Sequence, residues 1–356
     1  MVEPIQLKKA LSDLSHFSGL LPELDELLEL SPLIGEFGSL KLLGEVCYGD
    51  HVFPLLGVVL GTLDKSAPTF SVCAGVHGLE RIGSQVTLSY LRTFLNFLQW
   101  DKSTQDTLRK SRLIFFPIVN PVGMYLKRRS NGRGVDLMRN APVSGEKISP
   151  FSLYSGHRIS PKLPWFRGSP DSQMEYEAQV LCQFIQEEVF PSRLAINVDV
   201  HSGYGAKDRF WFPYAKTKNP FGHLPEVLAL KKLFDKTYPN HIYRIEPQSC
   251  QYVTHGDLWD YLYDLHKEQD SIKMFLPFCL EMGSWLWVRK NFRQAFSLLG
   301  VFNPVLKHRL QRTLRRHLHL FDFLHRAVHC STLWTQFKSD ERTQLQNQAL
   351  KLWYGH

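Results

Sequence analysis

Two histidines and two glutamates stand where apolar runs end, and these four residues have the chemistry to build a site. The stretch Thr69-Phe70-Ser71-Val72-Cys73-Ala74-Gly75-Val76-His77-Gly78-Leu79-Glu80 is an apolar run closed by glycines and a His-x-x-Glu pair. It reads as a strand with two metal ligands at its tip, because an imidazole and a carboxylate three residues apart on a turn both reach one zinc ion if a third ligand arrives from elsewhere. By itself the pair is weak, since His and Glu at this spacing are common on solvated helix faces. Leu194 to Gly203 strengthens it: a second apolar run leads to His201 with small residues after it. His77, Glu80 and His201 together leave a tetrahedral zinc one open position for water, the arrangement of catalytic rather than structural zinc. One zinc per chain is expected.

Hydrolysis of an amide at neutral pH needs a base to take a proton from water and a cation to stabilise the developing oxyanion. Glu281 is the candidate base; it ends the nearly all-apolar run Met274 to Leu280, a place where a glutamate either caps a turn or does chemistry. The cation candidates lie in Lys127 to Asn140, which holds Lys127, Arg128, Arg129, Arg133 and Arg139. Most such basic loops are solvated, but interleaved Asn and Gly around Val135-Asp136-Leu137 suggest a loop folded back on the site, where guanidinium forks hold carboxylates or oxyanions.

The elements that must position these residues follow from periodicity. Leu40–Cys47 and Val52–Leu60 flank Tyr48-Gly49-Asp50-His51 as a hairpin. Helical spacing over Val86 to Leu98 predicts a helix of roughly four turns after Glu80. A strand is expected over Leu113–Val119, ending at Asn120-Pro121, then a long polar loop from Val122 to about Ser172. A helix over Glu175–Phe190 leads to the second ligand strand. Further expectations are a strand at Arg209–Tyr214, a helix at Leu224–Tyr238, and strands at His241–Ile245 and Met274–Leu280. Strands alternating with helices imply an α/β fold with a mixed, mostly parallel twisted sheet and helices on both faces. In such sheets ligands bind beyond the carboxyl ends of the strands. His77, Asn120, His201 and Glu281 each follow an apolar run, so four strands would deliver polar groups to one rim.

With 44% hydrophobic and 21% charged residues, the 356-residue chain has the composition of a globular protein with a large core. The organisation expected is a helical N-terminal segment over 1–39, a catalytic domain over 40–300 and a helical C-terminal extension over 301–356 packed on it. Two amphipathic patterns, Ile5–Leu14 and Leu21–Leu30, make up the first. The start lacks a basic end followed by an apolar run, and no window approaches the length of a membrane span, so a cytoplasmic protein without a span is expected. Six cysteines without C-x-x-C spacing agree with a reducing compartment. The net charge of +8 permits acidic substrates, and nucleic acid is not expected as a partner.

The motifs taken together resemble those of the zinc metallocarboxypeptidase family, which includes pancreatic carboxypeptidases and bacterial murein peptide amidases. The likeness rests on H-G-x-E at His77 to Glu80, N-P-x-G at Asn120 to Gly123, R-x-N-x-x-G-V-D-L-x-R-N at Arg129 to Asn140, D-x-H-S-G at Asp199 to Gly203, and Glu281 at a strand end. It spans about residues 40 to 300 and is closest in type to the short bacterial members. It implies that His77, Glu80 and His201 hold zinc, that Glu281 activates the water and that Arg129 polarises the scissile carbonyl. It further implies that Arg139 and Asn131 bind substrate, with Arg139 on the terminal carboxylate. The mobile tyrosine of the family corresponds to Tyr263, with Tyr261 as the alternative.

One departure bears on the substrate. Met138 replaces the asparagine usual beside the carboxylate-binding arginine, and a lost amide donor weakens that recognition by about 1–3 kcal/mol unless Arg128 or Arg133 replaces it. The expected substrate is a peptide or small amide with a carboxylate. A zinc amidohydrolase that deacylates a small N-acyl amino acid is the second reading. The third is a non-catalytic protein holding an anionic partner on its basic C-terminal helix, where Leu306, Leu310, Leu314, Leu318, Phe321 and Leu324 form an apolar stripe opposite Lys307, Arg309, Arg312, Arg315 and Arg316.

Overall fold

The computed structural model describes residues 14–149, 152–270 and 272–355. The helical pattern expected over Ile5–Leu14 lies outside them except for Leu14. Eight strands, β1 (Gly38–Tyr48), β2 (His51–Gly61), β3 (Thr69–Ala74), β4 (Arg112–Phe116), β5 (Leu194–Ser202), β6 (Arg209–Phe212), β7 (Arg244–Pro247) and β8 (Met274–Met282), form one sheet in the order β1-β2-β4-β3-β5-β8-β6-β7. The centre is parallel, β4 with β3, β3 with β5 and β5 with β8. The β1/β2 hairpin adds antiparallel to β4 at one edge, and β6 adds antiparallel to β8 at the other, carrying β7 parallel to itself. This is the mixed, mostly parallel α/β architecture expected.

The central strands are apolar on both sides because both faces are covered. Phe70, Val72 and Ala74 of β3 point into one core with Ile82, Val86 and Leu91 of the helix Arg81–Leu98. Cys73 points the other way, into a second core with Leu181, Phe184 and Ile185 of the helix Tyr176–Glu188. The long helix Lys307–His329 buries Leu320, Phe321 and Leu324 in the first core, beside Phe70. No described helix is long and apolar enough to cross a membrane, and all six cysteines are unpaired.

Several boundaries differ from expectation for local reasons. β4 stops at Phe116, ahead of Val119, since Pro117 has no N–H to give to the ladder. β7 begins at Arg244, three residues after His241, and runs on to Pro247. The long loop after Val122 opens with a short helix, Pro121–Tyr125, capped by the Asn120 side chain at 2.8 Å from the Gly123 N–H.

Two glycines explain how the ligand turn is placed. A Cβ on Gly83 would lie 2.4 Å from the Val200 carbonyl, so only glycine lets the first turn of the helix Arg81–Leu98 press on β5. A Cβ on Gly78 would lie 2.0 Å from the Gly123 carbonyl carbon, so the loop after β3 meets the loop after β4 backbone to backbone.

Candidate functional site

The carboxyl ends of β3, β5 and β8 bring the four residues together. His77 Nδ1 lies 2.9 Å from one Glu80 carboxylate oxygen, His201 Nδ1 lies 3.0 Å from the other, and the two Nδ1 atoms are 3.1 Å apart. All three side chains are buried. The outward ring nitrogens are already engaged: His77 Nε2 is 3.1 Å from Asp136, and His201 Nε2 is 2.6 Å from Asp199, which also accepts the Trp259 indole N–H at 2.7 Å. An outward N–H held by a carboxylate leaves the Nδ1 lone pair directed inward, the usual support for a metal-ligating histidine. Two inward nitrogens share at most one proton across 3.1 Å, whereas a cation satisfies both and the carboxylate at once. The donor atoms, all within 4.8 Å of one another, therefore fit a zinc ion with two nitrogens and one oxygen.

The electrostatics of the triad point the same way. Burial would raise the Glu80 carboxyl, but His77 and His201 outweigh it and hold Glu80 below the ordinary range. Burial would lower His201, but Asp199 and Glu80 hold it well above the usual imidazole value. Both shifts favour positive charge among these three side chains, as a cation-binding set requires.

Glu281 lies beside this set, in register with His201 on the neighbouring strand. Burial, and next the Glu80 carboxylate, push its carboxyl up to about 8. One of its oxygens accepts the Tyr204 N–H at 2.9 Å. Both residues open onto a cleft of about 1030 Å³ that His77, Glu80, His201, Arg129 and Arg139 also line. Arg129 is steadied by a 2.7 Å bond from Nε to Asp136, and its Nη1 comes within 3.4 Å of Glu80. Arg139 is 3% exposed; its Nη1 makes a long 3.4 Å bond to the Met138 carbonyl, and its Nε is buried with no partner.

Two expected substrate contacts are not at the cleft. Asn131 is 1% exposed, and its amide is consumed within the loop, donating to Glu175 and Glu177 and accepting the Arg133 and Val135 N–H groups. It folds the loop and does not line the cleft. Tyr263 is also buried, with its hydroxyl 2.9 Å from His223 Nδ1 and its ring against Phe221 and Tyr214. Tyr261, the alternative, packs beside the second core. The tyrosines that do line the cleft are Tyr154, Tyr204 and Tyr252. Tyr252 lies in the fields of Arg139, Glu281 and Arg129. Of the possible substitutes for the missing asparagine, Arg128 lines the cleft, while Arg133 is exposed and reaches toward Glu175.

Asp136 and Asp199, the carboxylates behind the histidines, had a signal in the D-x-H of Asp199-Val200-His201 and in the buried Val135-Asp136-Leu137 core of the loop. Tyr252 had none, because it follows no apolar strand.

A family model described as zinc carboxypeptidase matches residues 54–287. Among solved structures, the fold resembles thrombin-activatable fibrinolysis inhibitor (TM-score 0.63, 16% identity, covering 91% of this chain and 80% of that one). It also resembles bovine thrombin-activatable fibrinolysis inhibitor in complex with tick carboxypeptidase inhibitor (TM-score 0.60, 15% identity, 88% and 99% covered) and carboxypeptidase A from Helicoverpa armigera (TM-score 0.58, 16% identity, 92% and 81% covered). At these identities the likeness is one of fold.

Proposed function

We propose, from the premise that this chain belongs to the zinc carboxypeptidase family, that it cleaves the amide bond next to a free carboxylate of a peptide, with Glu281 as general base, Arg129 facing the scissile carbonyl and Arg139 anchoring the carboxylate. Membership makes the protein a hydrolase, so the non-catalytic reading falls away. The observation that carries the assignment is the meeting in one cleft of Glu281, the His77–Glu80–His201 set and a buried Arg139 with an unsatisfied Nε.

His77, Glu80 and His201 would hold the zinc, which when bound supplies Lewis acidity and makes water a better nucleophile at neutral pH. Glu281 takes the proton from the attacking water. The Tyr204 N–H fixes one carboxylate oxygen and leaves the other as acceptor. Burial raises the Glu281 carboxyl above the ordinary range, which suits it to return that proton to the leaving amine. Arg129, locked by Asp136, presents positive charge where the oxyanion develops. Arg139 is buried, so a carboxylate that reaches it loses water and gains a charge-assisted bond.

The cleft, about 1030 Å³, is at the upper end of the size range of small-molecule sites, and Tyr154, Trp165, Trp211 and Tyr252 line it, more volume and aromatic surface than a small N-acyl amino acid needs. This favours a peptide over the deacylase substrate. Zinc-loaded enzyme should release the terminal residue from peptides with a free carboxylate, and not from the same peptides amidated, as read by mass spectrometry. Arg139→Ala should raise KM for the free peptides by about tenfold or more. Release of amino acid from N-acyl amino acids, with every peptide left intact, would put the deacylase reading in its place.

A further inference from the structure

The formal charge of +8 is concentrated in one stretch of the chain. Between Glu281 and Asp322 there is no Asp or Glu, and the stretch holds eight of the 42 Lys and Arg residues, which leaves 34 elsewhere against the 34 Asp and Glu of the whole chain. Two of the eight are used internally. Arg309 donates to the Trp287 and Lys290 carbonyls and so fastens the start of the helix Lys307–His329 to the segment 285–294, and Arg316 bonds Asp208. The other six, Arg289, Lys290, Arg293, Lys307, Arg312 and Arg315, are exposed and enter no ion pair among the described residues.

The same stretch exposes large apolar side chains. Phe292 is 71% and Phe296 82% exposed, and the two rings pack edge to face on each other with centroids 5.5 Å apart. Trp285, Leu298 and Val305 are also more than half exposed. Large apolar groups left in water in one segment mark a contact surface, unlike the scattered single ones normal elsewhere. The segment belongs to the rim of the cleft: the Trp285 indole N–H donates to the Gly203 carbonyl at 3.1 Å, and Gly203, Leu298 and Phe302 are cleft-lining residues.

We propose that residues 285–315 dock the protein peripherally on an anionic lipid surface, with the mouth of the cleft beside the bilayer. Basic residues beside exposed Trp and Phe, with no acid among them, match the chemistry of a negatively charged interface: the cations meet headgroup phosphates and the rings enter the acyl boundary. A purely polyanionic partner would use the cations and leave the phenyl rings in water. The docked protein would act on substrates held at that surface.

The experiment is flotation of the full-length zinc-loaded protein with vesicles of phosphatidylcholine plus phosphatidylglycerol, and with phosphatidylcholine alone. Binding is expected to the anionic vesicles, released by high salt and accompanied by a blue shift of Trp fluorescence. Arg289→Gln/Lys290→Gln/Arg293→Gln should weaken it by about fivefold per residue. Phe292→Ser/Phe296→Ser, which changes two exposed rings outside the cleft, should weaken it at least about tenfold while hydrolysis of a soluble peptide is unchanged. Failure to bind anionic vesicles, or equal binding to both vesicle types, overturns the proposal. So does vesicle or heparin binding that the phenylalanine pair does not affect, which assigns the surface to a polyanion.

Discussion

His201 and Glu281 are register partners, the eighth residues of two adjacent parallel strands, β5 and β8. Paired positions on parallel strands project to the same side of the sheet, so one ladder spacing sets the candidate base beside the candidate ligand. Neither residue needs a loop to hold it, and a site on strands is stiffer than one on loops.

Metal binding is the first test of that geometry. Purified protein should contain about one zinc per chain, and His77→Ala or His201→Ala should lose most of it. Asp199→Asn should weaken zinc affinity by about 10- to 100-fold, because it disturbs the bond that turns His201 Nδ1 inward. Elemental analysis after dialysis against a graded chelator reads all three; full retention by both histidine variants would rule out the triad.

Glu281→Gln keeps the side-chain shape and removes the proton acceptor. Zinc content and folding should stay as in the wild type, and kcat should fall by at least about 100-fold, since general-base catalysis contributes roughly 10²- to 10⁴-fold. Near-normal kcat in this variant on peptide substrate would mean that another group takes the proton.

The pH profile follows from the same carboxyl. Glu281 acts in its ionised form, so kcat/KM should fall as pH drops through its pKa. Burial, and then the Glu80 charge, raise that value from the ordinary 4.5 to about 8. A divalent cation bound by Glu80 offsets that neighbouring charge and brings the value down. The acidic limb of the loaded enzyme should thus lie above 4.5 and below about 8. A profile flat across that interval, at constant zinc occupancy, would contradict the assignment.

The two tyrosines separate by role. Tyr252→Phe should lower kcat/KM with no change in melting temperature, because Tyr252 lines the cleft. Tyr263→Phe should leave kcat/KM unchanged and cost about 1 kcal/mol of stability, since it removes the bond to His223 from a buried position. Paired kinetics and thermal unfolding distinguish the two, and the reverse pattern would return Tyr263 to the site.

Stability should carry an acid-sensitive component far from the cleft. Glu188, at the end of the helix Tyr176–Glu188, accepts from Lys41 at 2.8 Å, from Lys65 at 2.9 Å and from the buried Arg112 guanidinium. Burial would raise its carboxyl, but these donors reverse the effect and leave it at about 2, against 4.5 ordinarily. A depressed carboxyl contributes its stability above the unfolded value and loses it as the pH falls toward the folded one, here between 4.5 and about 2. Glu188→Gln should lower stability by roughly 3–5 kcal/mol at neutral pH, because it leaves Arg112 buried without its counter-charge. Urea unfolding across this pH interval should show the acid-dependent slope reduced in the variant.

The gathering of His77, Glu80, His201 and Glu281 at one rim was legible in the sequence because strands advertise their ends. The apolar runs of β3, β5 and β8 stop where His77, His201 and Glu281 begin the polar rim, and a parallel sheet gathers such ends on one side. Asn131 and Tyr263 were misplaced for the opposite reason. Motif position says that a residue belongs to a loop or helix near the site, but not which way its side chain turns. In the folded chain Asn131 satisfies buried Glu175 and Glu177, and Tyr263 satisfies His223, since buried polar groups take the nearest partner that packing offers. Tyr252 reached the cleft from an irregular segment with no periodic signal. What the sequence by itself determined was where strands fall along the chain, their apolar character and the chemistry at their tips. The tertiary structure alone decided the contacts made across long chain separations: the Asp136 carboxylate behind His77, the aromatic lining of the cleft, and the joining of an acid-free basic stretch to its rim through Trp285 and Gly203. Such contacts depend on which surfaces remain free once the apolar faces have closed on one another.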